Sequence, residues 1–259
     1  MHHLPIIDIG GMPFDLSAIG VILITSILVF VFLRLCVRSL SVTNPSKLQN
    51  LLEIIVGFVQ GLISSTMDAK KGQRYIVLAL TLIFFIFIGN MIGLPFLIIT
   101  EHEEPFGLFG KEIVSAAEIE ASEHHGVEIS WWKSPTADLG VAMALAVMII
   151  AMSHILGLFT NTKAYLKHYF DPTWVMFPLN VIKEISRLFT LGLRLWGNIL
   201  AGEILIGVII GMLSWFGVVP LVVWLGFSTF VATIQAFVFT VLTLVYISLA
   251  THDPHAEEH

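Results

Sequence analysis

The sequence predicts an all-α polytopic membrane protein. Three observations carry that expectation. Hydrophobic residues make up 56% of the 259 residues and charged residues only 12%, a ratio that suits several membrane crossings and no soluble domain of this length. Uncharged runs long enough to cross a ~30 Å hydrocarbon core as helix recur along the chain. Lysine and arginine gather in two stretches, the asymmetry that orients loops across a membrane. The formal net charge of −6 argues against a nucleic-acid partner. The single Cys36 excludes an internal disulfide.

The chain reads as one membrane domain, residues 1–259. Residues 1–15 lack a basic cluster ahead of the first apolar run and do not read as a cleaved signal peptide. Residues 16–33 are uncharged and form the first crossing, followed by Arg34, Arg38 and Lys47. Residues 46–67 differ. Leu48, Leu51, Leu52, Ile55, Val59, Leu62 and Ile63 share one helical face, while Gln49, Asn50, Glu53, Gln60 and Ser64 lie largely elsewhere. That pattern gives an amphipathic helix lying in the interface; the alternative is a spanning helix that tolerates Glu53. Lys70, Lys71 and Arg74 mark a return to the same side.

Residues 75–100 form the second crossing, with Asn90 expected to hydrogen-bond another helix. Residues 101–138 read as a solvated polar loop holding nine of the 19 acidic residues. Its His102, His124 and His125 match no metal-ligand spacing, and no cofactor or metal site is expected. Residues 139–162 form the third crossing, with His154 as a packed polar residue, and residues 161–171 a basic turn with Lys163 and Lys167. Residues 178–213 form the fourth crossing, where Pro178 suits a first helical turn. A break over 211–220 leads to the fifth crossing, 220–250, with Gln235 near its middle. Residues 251–259 are a solvated tail.

Positive charges set the expected orientation. Residues 34–74 hold six Lys and Arg and residues 163–187 hold four, against two, Lys111 and Lys133, in the loop 101–138 and none in 1–33. The two basic stretches should face the cytoplasm and the acidic loop the outside. Five crossings then put the N-terminus outside and the C-terminus in the cytoplasm.

The fourth crossing carries the chemistry. Lys183, Glu184 and Arg187 stand at its entrance, and Arg194, Asn198 and Glu203 lie deeper. No Asp, Glu, Lys or Arg follows from Ile204 to His252. A charge inside a membrane costs at least ~2.5–3.5 kcal/mol, so Arg194 requires a partner, a wet cavity or a function. Arginine cannot escape that cost by losing its proton. An ion pair with Glu203 is disfavoured by spacing: nine residues place the two ~13.5 Å apart along the axis and on opposite faces. Asn198, four residues on, shares the Arg194 face. Glu184 near the inner surface and Glu203 toward the outside flank the arginine, a layout for two separate aqueous paths with a fixed charge between them. Ser186 and Thr190 either line a path or, more simply, bond back to their own helix.

Three segments carry a resemblance: Leu193-Arg194-Leu195-Trp196-Gly197-Asn198 followed by Ala201-Gly202-Glu203, then Thr233-Ile234-Gln235-Ala236-Phe237-Val238-Phe239 with Leu242-Thr243-Leu244-Val245-Tyr246, and Ser134-Pro135-Thr136-Ala137-Asp138. Here the chain resembles subunit a of bacterial F-type ATP synthases, over roughly residues 15 to 250. The resemblance implies a stator subunit in the bacterial cell membrane, without a catalytic site of its own. Its helical hairpin would face a c-ring of small proteolipid subunits, with peripheral-stalk b subunits as further partners. It implies that Arg194 is an essential arginine, that Glu203 lies on the outer path and that Asn198 and Gln235 are polar partners. Asp138 either helps form the outer access or caps a helix. Glu184 either serves the inner path or is a solvated residue beside Lys183 and Arg187.

The chain departs from some relatives of that kind at two positions. Ser228 stands where some have a histidine, and Gly202 where some from alkaline-adapted bacteria have a lysine. Two other readings compete poorly. A stand-alone transporter would need a second deep carboxylate beside Glu203, and no internal repeat is visible. An intramembrane metalloenzyme would need an HExxH-like cluster within a crossing, and none is present.

Overall fold

The computed structural model describes residues 5–9, 12–93, 99–108, 111–114, 119–120, 127–170, 174–212 and 218–251. The described chain begins with a short hairpin, β1 (Ile6–Ile9) and β2 (Met12–Asp15), and continues as α1 (Leu16–Cys36), α2 (Lys47–Thr66), a single turn α3 (Ala69–Gly72) and α4 (Ile76–Gly93). Strands β3 (Ile99–His102), β4 (Phe106–Leu108), β5 (Lys111–Val114) and β6 (Val127–Ser130) follow. Three long helices close the chain: α5 (Leu139–Phe170), α6 (Phe177–Met212) and α7 (Val218–Thr251).

Three helix starts have a local cause. Asp15 caps α1 by accepting from the backbone N–H of Ser17 and Ala18. Ser46 does the same for α2 through Gln49 N–H. Pro220 falls in the first turn of α7, where its missing N–H costs nothing. Among the described residues six helices are long and apolar enough to cross a membrane, and the protein is an all-α polytopic membrane protein. The span Lys47–Thr66 is the least apolar of the six, in keeping with its mixed faces.

The core is shared by four helices. Leu82 and Ile86 of α4, Ala142, Ala146 and Ile149 of α5, Leu191 and Leu195 of α6, and Ala236 and Phe239 of α7 form one buried cluster. Helix α7 is central, touching α4, α5 and α6. Helix α6 approaches α5 closely at Gly192: a Cβ there would lie 2.4 Å from Met143 Sδ, so a larger residue would displace that methionine side chain. Helix α1 packs on α4, with Phe32 and Phe84 rings 5.6 Å apart. Helix α2 leans on both α4 and α7 through Val59, Ile63, Ala79 and Leu244.

Three expectations are corrected. The stretch 101–138 is not merely a solvated loop. Strand β3 pairs with β6 and β4 with β5, around Val114, Ile119, Val127 and Ile129. Val127 and Ile129 are two apart, the spacing that puts both on one face of a strand, and acidic neighbours masked that signal in the composition. The basic turn at 161–171 is instead continuous helix, since α5 runs to Phe170. No glycine or proline lies between Gly157 and Pro172 to stop it. The second crossing does not extend to residue 100, since Ile99 and Thr100 already lie in β3. His124, His125, the break at 213–217 and the tail from 252 lie outside the described residues.

Candidate functional site

Helix α6 has two faces. Leu191, Leu195, Ile199 and Ile206 are buried, following the i, i+4 spacing of a packed stripe. Thr190, Arg194 and Asn198 form an exposed row at the same spacing. The α6 and α7 helices run antiparallel, as three contacts show in reverse order. Arg187 stacks over the Tyr246 ring at 5.5 Å, Asn198 Nδ2 donates to Gln235 Oε1 at 2.9 Å, and Trp224 Nε1 donates to the Gly202 carbonyl at 3.2 Å.

Arg194 stands apart from these joints. Its side chain is on the exposed face, and among the described residues no hydrogen bond or ion pair engages it. The pair with Glu203 that spacing disfavoured is absent there. Glu203 turns instead to the segment before α5, where its Oε1 accepts from Ser134 N–H at 2.9 Å. Glu184 pairs with Arg187 one turn on. Asp138 caps α5, its Oδ1 accepting from Val141 N–H at 3.1 Å, while its Oδ2 meets Lys133. Ser186 and Thr190 depart from expectation: both are exposed, and among the described residues neither bonds back to its helix. Asn198 and Gln235, 37 residues apart, are brought into direct contact. Gln235 Nε2 and Ser228 Oγ, two turns apart on α7, are buried without a protein partner among the described residues.

Two clusters escaped the sequence reading. Asn90 Oδ1 accepts from Ser134 Oγ at 3.0 Å and from Thr136 Oγ1 at 2.5 Å. Its expected partner was a helix, and the actual one is the turn that opens α5. The second cluster is Lys133 between Asp15 and Asp138, at 2.6 and 3.1 Å. Burial works against charge on Asp15 and Lys133, but their mutual hydrogen bond and attraction, with Ser17 and Ala18 bonding Asp15 and Asp138 bonding Lys133, outweigh it. Asp15 is held below the usual carboxylate range and Lys133 above the usual lysine value. A cap signature was visible at Asp15, just ahead of an apolar run. Nothing in the sequence links position 15 to position 133.

The class is therefore a polytopic membrane protein whose two longest apolar helices form an antiparallel pair bearing polar groups within the membrane. Residues 19–248 match the family model described as ATP synthase A chain, and the chain belongs to that family. ATP synthase subunit a of Priestia megaterium is 40% identical over 98% of this chain and 99% of its own. The subunit a of Bacillus pumilus is 41% identical over 95% and 96%, and that of Bacillus subtilis 38% identical over 95% and 96%.

Proposed function

We propose that this chain is the proton-translocating stator subunit of a bacterial F-type ATP synthase. It provides two offset aqueous half-channels, separated by Arg194, that couple proton flow to rotation of a c-ring. The observation that carries this reading is Arg194 itself: a permanent cation on the exposed face of a long apolar helix, without a partner among the described residues. A structural arginine in a membrane would be expected to hold an acceptor within the chain. One aimed outward suits a carboxylate delivered by another subunit.

The cycle follows from charge. A proton arrives from outside past Glu203 and neutralises a c-ring carboxylate, which then turns into lipid at low cost. After nearly a full turn the proton leaves by the inner path near Glu184. The bare carboxylate is drawn to Arg194, and a proton cannot pass the arginine directly because like charges repel strongly at low dielectric. Asn198 and Gln235 brace the hairpin beside the arginine, and the unpartnered Gln235 Nε2 and Ser228 Oγ suit a wetted outer path. Asp138 stands at the outer rim. Five helices cross, α2 lies in the cytoplasmic interface, the N-terminus is outside and the C-terminus inside. The catalytic head lies in other subunits, and b subunits hold the stator.

Purification in mild detergent tests the assembly. A large complex retaining a small proteolipid ring supports the reading, and a lone monomer with intact transport opposes it.

A further inference from the structure

Lys133 ties two helix starts together. Its Nζ lies 2.6 Å from Asp15 Oδ2 and 3.1 Å from Asp138 Oδ2. Each carboxylate spends its other oxygen on a helix: Asp15 Oδ1 caps α1 and Asp138 Oδ1 caps α5. The lysine side chain is only 12% exposed, a burial that lysine tolerates when paired.

The next residue is Ser134, and the peptide joining the two supplies the N–H that bonds Glu203 Oε1 at 2.9 Å. Ser134 is itself fully buried and wedged on its α4 side. A Cβ at Gly93 would fall 2.4 Å from Ser134 Cα, and Ser134 Oγ donates to Asn90 Oδ1. One end of that peptide is thus fixed by packing against α4. The other is fixed by the Lys133 ion pairs.

We infer that Lys133 is a positioning residue for the outer path: held between Asp15 and Asp138, it orients the Lys133–Ser134 peptide so that its N–H keeps Glu203 in place. This rests on the reading of Glu203 as the outer-path carboxylate. Without the clamp the peptide is held at its Ser134 end alone, and its bond to Glu203 weakens. A plain staple between α1 and α5 would act on the whole bundle. A positioning residue acts through Glu203 alone, and that difference is measurable.

ATP-driven proton pumping is measured in inverted membrane vesicles carrying the intact synthase, at matched subunit levels. The variants are Lys133→Met, Lys133→Arg, Glu203→Gln and the Lys133→Met/Glu203→Gln double. Lys133→Met is expected to slow pumping about tenfold, the scale of one lost hydrogen bond to a charged group. Lys133→Arg should retain most of the rate, because it keeps a cation between the two carboxylates. In the Glu203→Gln background Lys133→Met should add no further loss. If Glu203→Gln slows pumping and Lys133→Met adds its full loss on top, the positioning role is overturned while the Glu203 reading stands. If Glu203→Gln pumps like wild type, both fall. Should Lys133→Met fail to reach the membrane, Asp15→Asn replaces it, keeping an α1 cap while removing the charge partner. The same absence of added loss is expected, and additive losses again overturn the role.

Discussion

Asn198 Nδ2 donates to Gln235 Oε1 across 2.9 Å, joining α6 to α7 one turn beyond Arg194. Gln235 is buried, so losing its donor alone costs more than losing both partners.

Asn198→Leu should therefore destabilise the bundle by about 1–3 kcal/mol, the cost of leaving the buried Gln235 Oε1 without its donor. The double variant Asn198→Leu/Gln235→Leu should recover part of that loss. Heat-induced release of the subunit from the purified complex reads both. Equal or worse stability in the double variant would show that the bond does not brace the pair.

Glu203→Gln should slow ATP-driven pumping and leave assembly intact, because water can partly replace a carboxylate that assists proton transfer. Unchanged pumping between about pH 6 and 9 would remove Glu203 from the path. Failure to assemble would make its bond to Ser134 N–H purely structural.

The clamp around Lys133 should resist pH. Asp15 has its carboxyl held below the usual range, so its contribution is present above the ordinary carboxylate value and is lost only as pH falls through the lowered one. Lys133 is shifted the other way, so its contribution is present below the ordinary lysine value and is lost only as pH rises through the raised one. Asp15→Asn should lower the thermal stability of the complex throughout the neutral range, with the gap to wild type closing only in strong acid. A gap that closes already in mild acid would contradict the pairing.

Orientation has a direct chemical test. With Cys36 replaced, Glu120→Cys should react with an impermeant thiol reagent added outside intact cells, and Lys70→Cys only in inverted vesicles. The reverse pattern would exchange the two half-paths.

Much of this was legible because membrane solvation punishes charge so heavily. Arg194, Asn198, Glu203 and Gln235 stand out against runs that hold almost nothing polar, and helical spacing alone separated Arg194 from Glu203. The helix start near Pro178 followed from first-turn chemistry. What stayed hidden was long-range. Nothing local marks Lys133 as the partner of Asp15, 118 residues away, or Ser134 as the donor to Glu203. The strands within 99–130 were obscured because the acidic residues along the stretch read as a solvated loop, while Val127 and Ile129 supply the buried face.

The central claim is that Arg194 both attracts an ionised ring carboxylate and blocks direct proton passage. Arg194→Lys separates charge from shape, since lysine keeps one positive charge on a compact ammonium without the planar fork. It should limit leakage yet couple poorly. Arg194→Ala should abolish ATP synthesis and ATP-driven pumping, and should open the barrier between the half-paths. The most direct measurement is passive proton flux through vesicles stripped of the catalytic head, at matched subunit levels. The account predicts a marked increase in flux for Arg194→Ala over wild type. Flux no higher than wild type in a fully assembled membrane sector, or normal ATP synthesis by the same variant, would contradict it.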